Sequence, residues 1–458
     1  MNKDACGHRQ RQGGVWTCWS MVLVLGLLWG GVSEIFAASE KPPTVLSDDQ
    51  GPMLRLSLRD AMQASVDQNP TVQLFKEQVT QAEHVADTRL GALLPNISGR
   101  LSGARRRFFF GSFGGSPSVS RPIDFYEARA ALTQSIFSLS LIQRWRAART
   151  GIEVANLDSE VSERDTMATA GLVYLEALRA QKAVQARQAD VKLNIELLRL
   201  ATERKSAGMA TSLDVTRARV QLENERQRLL VARNDYNRAR LNLIRAIGLS
   251  FDVELVLTDE LELIPVPKQN AKEALLVARE NRIELLAQKR RERLASLTLS
   301  SVVSERIPNL EASGDVGLIG TQVPDALTTN NVQVLLTVPI FDGGQREGRI
   351  SENRSLVRQE SIRTQDLNYQ VTLEVRDALL TIESAQQQVE VAQLGLKLSL
   401  KELDLARERF AVGVATNIEV TNAQTSVAQA RDNLIEGLFT FNAARVNLAR
   451  AQGRLHAL

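Results

Sequence analysis

ERKSAGMATSLDVTRA, Glu203 to Ala218, and ERFAVGVATNIEVTNA, Glu408 to Ala423, are two versions of one passage. Eight of the sixteen aligned positions are identical, among them Glu203, Arg204, Gly208, Ala210, Thr211, Val215 and Thr216 with their partners 205 positions later. The same offset, without a gap, aligns NRARLNLIRAIG (Asn237 to Gly248) with NAARVNLARAQG (Asn442 to Gly453). Upstream, Pro95 and Asn96 correspond to Pro308 and Asn309 at an offset of 213, so the intervening loops differ in length. A duplication of this extent means that each half builds the same substructure.

The quoted passages read as turns between helices. Gly208 and Gly413 suit the left-handed residue that ends a helix. Thr211 with Asp214, and Thr416 with Glu419, then have the spacing of a capping box opening the returning helix. Before the second turn, Val375, Ile382, Val389, Leu396, Leu403 and Phe410 recur every seven residues, and the first half supplies Ala177, Val184, Val191 and Leu198 at the same offset. A sustained heptad is a coiled-coil seam. From about Leu141 to Lys205 there is no Pro and little Gly, which predicts one helix of roughly 60 residues, about 90 Å long. Its returning partner, about Ser212 to Ala246, covers only half that length. Another short helix must fill the rest of the groove, and Leu56 to Leu90 or Ala271 to Glu305 has the size. Each half thus reads as one long helix beside two short ones stacked end to end.

Between the helices lie strand-like segments. Leu310, Ala312, Gly314, Val316 and Leu318 alternate with Glu311, Ser313 and Asp315; Val332, Val334, Leu336, Val338 and Ile340 alternate with Asn331, Gln333 and Thr337. A period of two marks one apolar and one polar face. The expected strands cover 309–321 and 331–340, with counterparts at about 96–109 and 123–137, where Tyr126, Ala128, Ala130, Leu132 and Ile136 share a parity. A Gly, Ser and Pro-rich loop, Gly111 to Pro122, separates the first pair. Strands of roughly ten residues have transmembrane length. Four cannot close a barrel, which needs about eight at least, so a barrel requires several copies of the chain.

Lys3, Arg9 and Arg11, an apolar core from Met21 to Trp29, and small Ala37 and Ala38 lay out a secretory signal peptide over 1–38. Retention of Gln12 to Ser33 as an anchor is the alternative. Removal to Ala38 takes both cysteines, Cys6 and Cys18, so disulfides and thiolate chemistry are not expected. The domain reading continues with a linker at 39–55, a first repeat over 56–250, a linker at 251–270, a second repeat over 271–453 and a tail at 454–458. With 56 basic and 53 acidic residues interleaved, the formal charge is +3. The one tight basic run, Arg105 to Arg107, makes no nucleic-acid stripe, and no nucleic-acid partner is expected. Followed by Phe108 to Phe110, it reads either as a solvated strand end or as a contact with lipid headgroups. His8, His84 and His456 are isolated, and Asp342-Gly343-Gly344 lacks the Lys and Ser or Thr of a phosphate loop, so no metal or cofactor is expected.

Two helical halves at a fixed offset, a G-x-A-T-x-x-[DE]-V turn in each, LLPNIS and RIPNLE before the strands, and VPIFDGG after the last one resemble the TolC-like outer-membrane efflux proteins. The resemblance covers about Leu56 to Gly453. It implies a mainly α fold with a transmembrane β part: duplicated coiled-coil hairpins forming a periplasmic α-barrel, and four strands per chain in a twelve-stranded barrel shared by a homotrimer. It also implies a periplasmic adaptor and an inner-membrane transporter as partners, with outer-membrane lipid around the strands. Carried over by position, Glu419 and Asp214 stand at the periplasmic gate, with Asn422 and Phe410 beside them. Gly208, Ala210, Thr211, Gly413, Ala415 and Thr416 form tip turns that would dock the adaptor. Phe410 and Ala415 replace a Tyr and an Arg with which some members latch the tip. Without the resemblance, Asp214 and Glu419 read as helix caps. The competing reading is a periplasmic coiled-coil adaptor or scaffold; an enzyme would need a nucleophile, base or cofactor loop that the sequence does not display.

Overall fold

The computed structural model describes residues 53–109, 118–267 and 269–457. The expected signal peptide, most of the 39–55 linker and most of the Gly111–Pro122 loop lie outside these residues. In chain order the elements are β1 (Met53–Leu56), α1 (Leu58–Gln68), α2 (Pro70–Gly91), β2 (Asn96–Arg106), β3 (Ile123–Phe137), α3 (Leu139–Ser206), α4 (Ser212–Ile247) and β4 (Glu254–Leu257). There follow α5 (Ala271–Asn281), α6 (Ile283–Val303), β5 (Asn309–Gly320), β6 (Leu327–Thr337), α7 (Gln345–Ala411) and α8 (Asn417–Ala451).

The long helices α3 and α7 hold 68 and 67 residues, about 100 Å each at 1.5 Å per residue. Each packs against its returning helix, α4 or α8, and α3 also meets α8. The heptad reading holds best in the second half, where Val375, Ile382, Val389, Leu403 and Phe410 are buried. In the first half Ala177 is buried, while Val184, Val191 and Leu198 are half-buried. Ion pairs tie the two repeats along α3 and α8: Arg450 to Asp165 at 2.7 Å, Arg179 to Glu436 at 2.9 Å, Arg431 to Asp190 at 2.5 Å, and Arg187 to Asp432. Asp190 lies inside this contact, and burial pushes its carboxyl pKa up against the pull of Arg431 and Arg187.

The short helices depart from expectation. Each is broken in two, α1 from α2 at Asn69 and α5 from α6 at Arg282, both in extended conformation. In the first half the cause is Pro70, which disfavours a helical conformation at Asn69 and pushes it to the extended region. The Asn69 side chain then caps α2 by accepting from the Thr71 N–H at 2.8 Å. The breaks face the duplicated glycines that end α4 and α8. Gly248 and Gly453 have φ of 86° and 71°, and a Cβ there would lie 2.6 Å from the Gln68 carbonyl oxygen and 2.7 Å from that of Asn281. Any other residue would combine an unfavourable φ with a collision.

The two linker spans contain strands that the sequence does not announce. Met53–Leu56 and Glu254–Leu257 form a parallel two-stranded sheet, β1 beside β4. Leu56, Leu255 and Leu257 enter the same core as Tyr174, whose hydroxyl donates to the Leu56 carbonyl at 3.0 Å. Burial raises the Tyr174 phenol far above its ordinary pKa. Four-residue strands are too short to show a period in sequence.

The second sheet has order β2-β3-β5-β6, all antiparallel, with a register shift between Ser135 and Phe137. The expected strand at 331–340 lies instead at Leu327–Thr337. Pro339 cannot donate to a ladder, which ends the strand early, while Thr328 to Asn330 extend it without an apolar alternation to announce them.

Candidate functional site

Two regions carry the candidate chemistry: the far ends of the hairpins and the two faces of the four-stranded sheet. At the first turn, Gly208 has φ 76°, the Gly208 N–H donates to the Lys205 carbonyl at 3.0 Å, and the Met209 N–H donates to that of Arg204 at 2.8 Å. The second turn repeats this, with Gly413 at φ 84°, Gly413 N–H to Phe410 at 3.1 Å and Val414 N–H to Arg409 at 2.9 Å. Both are the paired closing bonds of a left-handed helix cap, as the glycines imply.

The capping boxes do not both form. Asp214 accepts from the Thr211 N–H at 2.9 Å and from its hydroxyl at 2.7 Å, while Thr211 Oγ1 accepts from the Asp214 N–H at 3.3 Å. The Thr211 hydroxyl, then its backbone N–H, hold the Asp214 carboxyl below its ordinary pKa. Thr416 makes no side-chain cap bond, and Glu419 instead pairs with Arg409 at 3.1 Å. The expected box at Thr416 and Glu419 is therefore corrected to an ion pair.

Phe410 is 5% exposed, packed with Leu403, Ala415 and Val420. Arg204 of the first turn lies over its ring, 4.3 Å from the centroid, and donates to the Phe410 carbonyl. Asn417 adds a second bridge, its Nδ2 donating to the Asp214 carbonyl at 3.4 Å. Ala415 is buried, Ala210 half-buried, and Gly208, Thr211, Gly413, Thr416 and Asn422 are exposed. Glu419 is joined to neither Asp214 nor Asn422 by a hydrogen bond or ion pair among the described residues. Arg204, Arg409 and Asn417 are tip residues that the sequence reading missed. The offset offered a signal, because Phe410 aligns with Lys205 and so brings an aromatic ring to one turn alone. Apolar side chains point outward at equivalent places on both turns, Met209 with Val414 and Leu213 with Ile418.

In the sheet, the register lines up the alternations of separate strands. One row runs Ile97, Leu132, Gly314, Val332; the next runs Gly99, Ala130, Val316, Asn330, and the one after it Leu101, Ala128, Leu318, Thr328. Ile97, Leu101, Val332 and Val334 are among the most exposed apolar residues, with Leu101 and Val332 each at 86%. The opposite face carries Ser98, Ala131, Asp315 and Asn331 in one row and Arg100, Arg129, Gly317 and Thr329 in another. Exposed aromatics mark both ends: Phe109 and Tyr126 near the β2–β3 loop, Phe137 and Phe341 near the helices. In the basic run, Arg105 pairs with Asp124 at 3.5 Å, and Phe108 meets Phe125 edge to face at 5.6 Å. Among the described residues no helix is long and apolar enough to cross a membrane, and no group of His, Cys, Asp or Glu could hold a metal ion.

A sheet with one oily and one wet face, carried on long helices of about 100 Å, is what the wall of a membrane channel requires. The chain belongs to the outer membrane efflux protein family, whose model matches residues 61–249 and 275–454, one block per repeat. It is an efflux channel of the outer membrane with its helical part in the periplasm. Over 347 residues it is 22% identical to the outer membrane protein TolC of Escherichia coli, covering 72% of this chain and 69% of that one. To the pyoverdine export outer membrane protein OpmQ of Pseudomonas aeruginosa it is 23% identical over 403 residues, 82% of this chain and 80% of the relative. The Campylobacter jejuni CmeC outer membrane channel shares the fold with a TM-score of 0.76 at 16% identity, over 87% of this chain and 86% of the other. The match to a channel family leaves the adaptor alternative without support.

Proposed function

We propose that three copies of this chain close into one conduit, a twelve-stranded barrel through the outer membrane continued by a helical tunnel, which passes cargo without chemical change. The observation that carries this reading is the sheet itself: the row Ile97, Leu132, Gly314, Val332 crosses all four strands without a polar side chain, and both edges of the sheet, β2 and β6, are unpaired among the described residues. Unpaired edges seek another strand, and closure is the one arrangement that satisfies every backbone group in lipid. Strands of 11 to 15 residues suffice to span, and the aromatics at both ends suit the two interfaces with lipid. The helices agree. Leu373, Leu380 and Leu394, and Val391, Leu398 and Leu405, form two heptad rows on α7 that remain exposed in the single chain, which suits packing against a second copy.

At the tip, Glu419 and Asp214 of three copies would ring the periplasmic entrance, favouring cations by like-charge focusing, with Asn422 nearby and Phe410 holding the turn. The outward Met209, Leu213, Val414 and Ile418 suit an apolar contact with a periplasmic adaptor, which would join the channel to an inner-membrane transporter. OpmQ is described as a pyoverdine export protein, and export by such an assembly is the role inferred here.

The test is to extract the protein from outer membranes and examine it in detergent and in planar bilayers. A trimer whose electrophoretic mobility changes on heating, and which forms discrete conducting steps, is expected. A monomer that stays soluble without detergent and conducts nothing would overturn the reading.

A further inference from the structure

The polar face of the sheet holds an arrangement that a plain water-facing wall does not require. The Arg129 guanidinium on β3 donates to Glu127 on its own strand at 2.7 Å, to the Asp315 carboxylate on β5, and to the Thr329 hydroxyl on β6 at 3.0 Å. One side chain thus ties three of the four strands. The position opposite Arg129 on β5 is Gly317, where a Cβ would lie 2.5 Å from the Ala128 carbonyl oxygen and 3.1 Å from the Arg129 Cβ. Glycine leaves the guanidinium an open path across β5. On the other side, Arg100 of β2 stands directly opposite Arg129. It is exposed and makes no hydrogen bond or ion pair among the described residues.

Like charges directly opposite one another destabilise a sheet, so the pair Arg100 and Arg129 needs compensation. Glu127 and Asp315 supply it, giving two cations and two carboxylates within a few residues of one level. A structural tie alone would be served by neutral partners such as Thr, Ser and Asn, which this face also carries.

We propose that Arg100, Glu127, Arg129 and Asp315 form a balanced belt of fixed charge inside the barrel, which admits charged solutes of both signs at that level. The proposal rests on the barrel reading, in which the polar face lines the lumen. Arg129 neutralises Glu127 and Asp315 and pins them to the wall, and Arg100 offsets the remaining negative charge. The belt is separate from the tip, because it sits on the strands and the tip carboxylates sit at the other end of helices about 100 Å long. Its field reaches across the lumen only over a Debye length, about 8 Å at physiological salt and roughly 30 Å at 0.01 M.

The experiment is the reversal potential of single channels under a salt gradient, measured for the wild type, Arg129→Gln, Arg129→Lys, Arg100→Gln and Asp315→Asn. Arg129→Gln and Arg100→Gln each remove one positive charge per copy, so both should shift the reversal potential toward cation selectivity. Asp315→Asn should shift it toward anions, and Arg129→Lys should stay near the wild type. The shifts should grow as salt falls and fade toward 1 M, where the Debye length is about 3 Å. A merely structural Arg129 would alter trimer stability in both its variants and leave Arg100→Gln and Asp315→Asn without opposite shifts. If all variants assemble and conduct with an unchanged reversal potential, the belt is refuted while the barrel stands. If the wild type forms no channel, the barrel reading itself has failed.

Discussion

The two tip turns begin from nearly the same residues and settle into different partnerships. Arg204 and Asp214 hold in the first half the places that Arg409 and Glu419 hold in the second. In the second turn this pair closes on itself, at 3.1 Å. In the first it is divided: Asp214 caps α4, and Arg204 crosses to Phe410 of the other turn. Asp214 folds back onto the Thr211 N–H, whereas Glu419, although a capping box accepts Glu at that position, pairs with Arg409 instead. Lys205 stands where the second half has Phe410, so one turn alone presents a ring for a guanidinium to cover. Duplication supplied the scaffold, and small divergences made one turn the clasp of the other.

Removing Arg204 should therefore have the largest effect. A cation over an aromatic ring contributes about 0.5–2 kcal/mol, and a hydrogen bond from a charged donor about 1.5–3 kcal/mol. Arg204→Ala loses both and leaves the Phe410 carbonyl without that donor. Hydrogen exchange of the amides at both turns should quicken, and a double-mutant cycle with Phe410→Ala should give a coupling of about 1–2 kcal/mol. Arg409→Ala, at the equivalent position, breaks an exposed ion pair and should cost about 1 kcal/mol or less. Equal loosening by the two arginine variants would contradict the clasp.

A smaller effect is expected at the carboxylates, and it separates their roles. Glu419→Ala frees Arg409 and removes a charge at the entrance, so planar bilayers should record higher conductance or weaker cation preference. Asp214→Ala should act mainly on helix capping, since that carboxylate is engaged by Thr211, and should change selectivity less. If Glu419→Ala leaves both conductance and selectivity as they were, Glu419 serves Arg409 alone and the gate lies elsewhere.

The repeat, the long helices, the strand pairs and the turn glycines were legible because each rests on a local rule. Heptad spacing, two-residue alternation and the left-handed tolerance of Gly208 and Gly413 are written in neighbouring residues. The break at Asn69 is equally local, signalled by Pro70; the matching break at Arg282 has no proline to announce it. What stayed hidden depends on contacts distant in the chain. Arg204 meets Phe410 across 206 positions, Arg129 meets Asp315 across 186, and β1 meets β4 across about two hundred. Nor does sequence spacing choose between a cap and an ion pair for Glu419, because Thr416 and Glu419 have the same spacing as Thr211 and Asp214. The pairing with Arg409 decides it, and it forms only once the two helices are packed.

The finest division between the turns lies in their threonines. Thr211→Ala deletes a cap hydroxyl and should destabilise the start of α4 by about 1 kcal/mol. Thr416→Ala deletes a hydroxyl that makes no cap bond and should leave α8 within a few tenths of the wild type. Acid extends the contrast. The folded Asp214 carboxyl has a pKa below its ordinary 3.8, so it binds protons less readily than in the unfolded chain. Its stabilising contribution is complete above that ordinary value and is lost as the pH falls through the folded one. Exchange of the Thr211 amide, corrected for its intrinsic rate, should accelerate as the pH drops below 3.8, because protonation withdraws the charge to which that N–H donates. In Asp214→Asn the same amide should show no such step, since an amide oxygen accepts a hydrogen bond at every pH. A step that survives in this variant would place the titrating group elsewhere and remove the distinction drawn between the two caps.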